Sequence, residues 1–193
     1  NRALFPTAAA IGAPPHPYSA TGQNWGLPPI DPGRLAAEGY EYWIGLVRGS
    51  LRHAGALGID HVMGLFQQFW IPEGETGEMG AYVRFPSDDL LGILALEATR
   101  AGALVVGEDL GTVPPEVPPA LRERKMLSSK VLYFERTKTG GFTTSTRYPW
   151  LGLATANTHD MPTLAGWWDG RDIELRGDAG LLEATGGKGE AVK

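Results

Sequence analysis

Ala103-Leu104-Val105-Val106-Gly107-Glu108-Asp109-Leu110-Gly111 is the stretch that decides the fold. Five small or apolar residues in a row suit a strand buried on both faces, and two acids closed by glycine end it abruptly. Immediately upstream, residues 87–101 carry apolar side chains at helical spacing. Ser87 is expected as N-cap, Asp88 and Asp89 sit at the positive end of the helix dipole, and Gly102 is the stop. A helix feeding directly into a buried strand is half of a parallel α/β unit.

Working outward, the same arrangement recurs on both sides. Ala56-Leu57-Gly58-Ile59 runs into Asp60, and Leu153-Ala154-Thr155-Ala156 leads to Asn157-Thr158-His159-Asp160. The three acids are roughly 50 residues apart, about one strand-helix-strand unit or a little more. Before the first strand, Tyr40, Trp43, Ile44, Val47 and Leu51 fall at three- and four-residue steps, which predicts a helix over 36–53. A further helix is expected over 119–126, a strand over 130–135 and a short helix over 164–168. Residues 1–35 are proline-rich and read as an ordered loop, 73–86 as a loop over a site, and 177–193 as a disordered tail. The expected class is α/β with a parallel sheet.

Composition narrows the function. The chain has 193 residues, 42% hydrophobic and 20% charged, with a net charge of −5 and no run of like charge. That argues against nucleic acid or an anionic membrane as partner. The absence of cysteine rules out thiolate chemistry and disulfides and fits a cytoplasmic setting. No apolar run approaches the roughly 20 residues of a membrane span. No glycine-rich phosphate loop follows a strand, and no serine elbow is present. The histidines show no metal-ligand spacing, so no metal and no cofactor are expected.

Carboxylates at the C-terminal ends of parallel strands are where a (β/α)8 barrel places its chemistry. Several of them converging on one cleft is what glycosidic bond cleavage needs. Taken singly, each has a structural alternative. Asp60 is also a good N-cap, Glu108-Asp109 a solvated turn, and the cluster at 157–160 a set of turn formers. Trp25, Phe66, Phe69, Trp70, Tyr82, Trp167 and Trp168 flank the acids. Such residues are usually core, but their faces also pack on the C–H faces of sugar rings.

Four segments in order resemble one family: Ser-Ala-Thr-Gly-Gln-Asn-Trp-Gly-Leu-Pro at 19–28, Gly-Ile-Asp-His at 58–61 with Phe-Trp-Ile-Pro at 69–72, Gly-Glu-Asp-Leu-Gly at 107–111, and Thr-His-Asp at 158–160. They are similar to the amylomaltases, the 4-α-glucanotransferases of glycoside hydrolase family 77. The resemblance implies part of a TIM (β/α)8 barrel with long active-site loops, about half of the barrel being present. It implies retaining transfer of α-1,4-glucan segments between maltodextrins or starch-type oligosaccharides. Asp60 would be the nucleophile, Glu108 the general acid and then base, and Asp160 the transition-state stabiliser. Gln23, Trp25, His61, Asn157 and His159 would bind substrate, with residues 1–35 forming a groove loop. Such a mechanism needs one carboxyl protonated while its partner is ionised.

Two departures bear on activity. The family pattern carries an arginine two residues before the nucleophile, where this chain has Gly58, and His16-Pro17-Tyr18 replaces an acidic-aromatic segment. Half a barrel would also leave parallel edges unpaired and an apolar face open. A fragment or a piece needing the missing barrel half is therefore expected. A vestigial glucan-binding chain and an α-glucan hydrolase are the competing functions.

Overall fold

The computed structural model describes residues 2–16, 19–158 and 161–180. They fall into two compact units, residues 1–128 and 129–193.

The first unit holds two sheets. One is antiparallel, in the order β2-β1-β4-β5, formed by β1 (Ala9–Ala13), β2 (Gln23–Leu27), β4 (Gln67–Pro72) and β5 (Ala81–Arg84). Between these come α1 (Pro32–Ala37), α2 (Glu41–Leu51) and β3 (Ala56–Ile59). After β5 follow α3 (Ser87–Ala101), β6 (Leu104–Gly107), α4 (Val117–Glu123) and β7 (Leu127–Val131). The second sheet is parallel, as expected. Ala56 to Ile59 pair in register with Leu104 to Gly107, and Val106 and Gly107 pair with Leu127 and Ser128.

Helices α2 and α3 cover one face of β3 and β6. Leu90, Leu91 and Leu94 of α3 and Val47 of α2 are at most 2% exposed and share a core with Val105. Each buried leucine contributes about 2–3 kcal/mol of hydrophobic stabilisation. Trp43 places its indole N–H on the Leu90 carbonyl at 3.0 Å, satisfying its one polar atom in the core. At the layer's edge, Glu97 is only 6% exposed and is gripped by three guanidinium bonds, two from Arg48 and one from Arg100, of 2.7–2.9 Å. No helix among the described residues is long and apolar enough to cross a membrane.

Several boundaries differ from expectation for identifiable reasons. Residues 1–35 are not all loop, because β1 and β2 lie within them. Ala9-Ala10-Ile11-Gly12-Ala13 has little strand propensity of its own. It is a strand because it pairs with β4 on one side and β2 on the other. Gly12 permits this: a Cβ there would lie 2.0 Å from the Gln23 carbonyl oxygen and 2.5 Å from the Ile71 Cδ1. The helix expected over 36–53 is divided, since Gly39 (φ 63°) and Tyr40 (φ 60°) are left-handed. Tyr40 precedes α2 and donates its hydroxyl to Asp89, a bond that raises the phenol above its usual pKa. The N-cap of α3 is Pro86, with Ser87 inside the helix, while Gly102 (φ 63°) closes it as expected. The irregular stretch 73–86 contains β5, α4 begins at Val117, and β7 lies three residues upstream of the expected strand.

The second unit takes in the end of β7 and contains β8 (Gly152–Thr155), α5 (Leu164–Trp168) and α6 (Arg171–Asp178). The Leu132 N–H donates to the Thr155 carbonyl at 2.9 Å. Tyr133 stacks on Trp167 at 4.6 Å, and burial, with Asp172 adding to it, pushes its phenol up. Arg136 lies 3.7 Å over the Phe142 ring. Helix α6 extends into the stretch expected to be a tail; 181–193 lie outside the described residues.

Candidate functional site

Strand alternation carries the two leading acids to one face. In β3, Leu57 and Ile59 turn toward the helices while Ala56 and Gly58 are exposed; Asp60 continues the exposed set. In β6, Val105 and Gly107 are buried while Leu104 is 59% exposed; Glu108 continues that set. Because Ile59 pairs with Gly107, Asp60 and Glu108 follow in register on adjacent parallel strands. The Glu108 N–H donates to the Ile59 carbonyl at 2.8 Å and fixes that register.

The Glu108 side chain is half-buried and held at both oxygens. Oε2 accepts from the His61 N–H at 2.8 Å and Oε1 from the Leu110 N–H at 2.9 Å. Hydrogen bonds from neutral amides to a carboxylate are strong and directional and add no full countercharge. Asp60 is exposed. It lines a hollow of about 320 Å³ that runs beside α2, with Leu46, Ser50, Gly58, His61 and Gln68. A second hollow of about 450 Å³ is bounded by Pro15, His16, His61, Phe69, Tyr82 and Leu110. His61 borders both. A Cβ on Gly58 would meet nothing within 4 Å, so the face beside Asp60 has room for a larger side chain.

Strand β2 brings two further residues to this place. The Trp25 ring stands edge-on to His61 with centroids 5.6 Å apart, and its indole N–H donates to Gln23 Oε1 at 3.2 Å. Trp25 is 40% exposed, leaving a ring face open. Gln23, Trp25, Asp60, His61 and Glu108 are thus assembled within the first unit. Asn157 belongs to the second unit, where its amide donates to the Pro162 carbonyl at 3.1 Å. His159 and Asp160 lie outside the described residues.

Two contributions were not anticipated from sequence. Asp109, next to Glu108, is 8% exposed and accepts from the Ser128 hydroxyl on β7. The adjacent acids therefore divide, Glu108 held by the His61 and Leu110 amides and Asp109 tying β6 to β7. Strand alternation past Gly107 was the signal for that division. The Leu110 amide had no signal at all, since any residue supplies an N–H.

A family model described as 4-alpha-glucanotransferase matches residues 1–191. A 4-alpha-glucanotransferase of Haemophilus influenzae is 45% identical over 190 residues, which are 98% of this chain and 26% of that protein. One of Mycobacterium tuberculosis is 45% identical over 175 residues, 89% of this chain and 24% of that protein. The crystal structure of amylomaltase from Corynebacterium glutamicum matches with a TM-score of 0.87 at 45% identity, covering 92% of this chain and 25% of that one. Amylomaltase from Streptococcus agalactiae, in complex with acarbose, shares the fold with a TM-score of 0.73 at 21% identity, over 95% of this chain and 39% of that one. The chain spans about a quarter of the length of these two curated relatives.

Proposed function

Because this chain belongs to the 4-alpha-glucanotransferase family, we propose that it is part of the catalytic TIM barrel of such an enzyme and moves α-1,4-glucan segments between maltodextrins with retention. The observation that carries this is the position of Asp60 and Glu108, each one residue beyond the paired Ile59 and Gly107 at the tips of neighbouring parallel strands. Adjacent strands run about 4.8 Å apart. That spacing brings two carboxyl-bearing side chains within reach of one glycosidic bond, and the retaining course is what family membership implies.

Asp60 attacks the anomeric carbon of the donor while Glu108 protonates the departing glycosidic oxygen, leaving a β-glucosyl ester on Asp60. Glu108 then takes the proton of an acceptor glucan hydroxyl, whose oxygen displaces Asp60. Two inversions restore the α configuration. Asp160, with His159 and Asn157, holds ring hydroxyls and stabilises the oxocarbenium-like transition state. Trp25, Gln23 and His61 line the groove, where an open indole face suits the C–H face of a glucose ring. No cofactor takes part. The remaining strands of the barrel complete the site, and the lack of cysteine favours a cytoplasmic setting.

Incubation of the chain, completed by the rest of its barrel, with maltotriose tests this. Longer maltodextrins together with glucose are expected on chromatography; absence of both overturns the reading. Gly58, with open space where the family carries arginine, favours a second reading as a glucan-binding chain without turnover. Parent and Gly58→Arg together separate the two: transfer by the parent supports the enzyme, whereas maltodextrin binding with no turnover in either supports the binding chain.

A further inference from the structure

The tips of β3 and β6 leave a regular parallel ladder at one bond. Where the Glu108 N–H donates to the Ile59 carbonyl, the ladder requires the Glu108 carbonyl to accept from the N–H of His61. It accepts instead from the Val62 N–H, at 3.0 Å. His61 has φ 48° and ψ 57°, a left-handed conformation in a residue that is not glycine. That conformation turns the skipped amide out of the ladder and onto Glu108 Oε2 at 2.8 Å. The His61 carbonyl in turn accepts from the Gly64 N–H at 2.8 Å, and its ring stands against Trp25. One-residue interruptions of this kind re-aim groups beside active sites.

We propose that His61 is a positioning residue for the Glu108 carboxyl, acting through the backbone N–H that its left-handed conformation frees and not through its imidazole. This deepens, and rests on, the acid/base role given to Glu108 above. Leu110 supplies the other tether. With the residue-61 amide withdrawn, the carboxyl is held at one oxygen and turns away from the scissile bond, and small misplacements of this kind are costly in rate.

Glycine and asparagine accept the left-handed region readily, whereas a β-branched residue resists it. The kcat and KM for maltotriose disproportionation of His61→Gly, His61→Asn and His61→Val, in the completed barrel, therefore separate backbone from ring. His61→Val is expected to lose about 100-fold in kcat, with the same rise in KM from loss of the ring as in the other two variants. His61→Gly and His61→Asn keep kcat within about fivefold, with KM rising as the ring is lost. If His61→Gly is as slow as His61→Val, the imidazole is responsible and the proposal falls; it falls equally if all three variants keep parental kcat. His61→Ala supplies the contrast should His61→Val not fold. An amide readout on the same protein is independent of turnover: the residue-61 N–H resonance is expected to shift and lose exchange protection in Glu108→Ala. No change there overturns the proposal, whereas a parent that makes no transfer product overturns only the glucanotransferase reading.

Discussion

Glu97 and Glu108 are both glutamates held at both oxygens, yet they are built for opposite ends. Glu97 sits in the helix layer at 6% exposure, bound by the guanidinium groups of Arg48 and Arg100. The hydrogen bonds from Arg48 are the main reason its pKa lies below the usual glutamate value, against the opposing effect of burial. Glu108 is held by two backbone amides, is half-buried, and stands on the strand next to that of an exposed aspartate. A cationic partner fixes a carboxylate's charge and makes it a fastener. Neutral amides fix a carboxylate's direction without bringing a countercharge, which makes it an aimed group and not a fastener.

The strongest way to break this contrast is to neutralise the strand-tip pair. Asp60→Asn and Glu108→Gln are each expected to cut transfer on the order of 10⁴-fold, with circular dichroism unchanged. If a single variant keeps parental rates, the strand tips are not the reacting centre. Next is the scaffold beneath them. Leu94→Ala is expected to cost about 3 kcal/mol in denaturant unfolding, with turnover per folded molecule retained. A large loss of turnover would show that the helix layer does more than support.

Smaller effects sharpen the comparison. Trp25→Ala removes an open ring face, and a loss of about 1 kcal/mol of stacking corresponds to roughly a fivefold rise in KM for maltodextrin. The helix-layer carboxylate is expected to show itself only in acid. A glutamate with a depressed folded pKa stabilises fully above its unfolded value near 4.5, and that stability is lost as pH falls through the lower folded value. Parent and Glu97→Gln should thus differ by a constant Tm at neutral pH and converge below about pH 4.5. The gap is expected to be modest, since both arginines are more than half exposed to solvent. Divergence in acid would reverse the assignment of roles.

How much of this was legible beforehand depended on the range of the forces involved. The strands before Asp60 and Glu108 announced themselves because a short apolar run that stops at an acid marks a buried strand meeting solvent. The glycine stop at 102 was equally local. Strands β1 and β2 were hidden, because Ala9-Ala10-Ile11-Gly12-Ala13 becomes a strand through β4, far along the chain, and Gln23-Asn24-Trp25-Gly26-Leu27 only by pairing with β1. The break at Tyr40 was missed because its apolar spacing matched a helix, while Gly39 just before it was the overlooked warning. Within the site, side chains could be nominated from motif order. The amides of His61 and Leu110 could not, since backbone groups carry no letter of their own.

Gly12 has a reach that its size conceals. Its missing side chain is what lets the Gln23 carbonyl close onto β1, so the aromatic ring at position 25 is presented by courtesy of an atom that is not there. Function along this lineage would therefore be vulnerable at a residue with no side chain to bind or react. One methyl group at position 12 would unseat the strand that bears the platform, while every motif a reader checks for activity remained spelled as before.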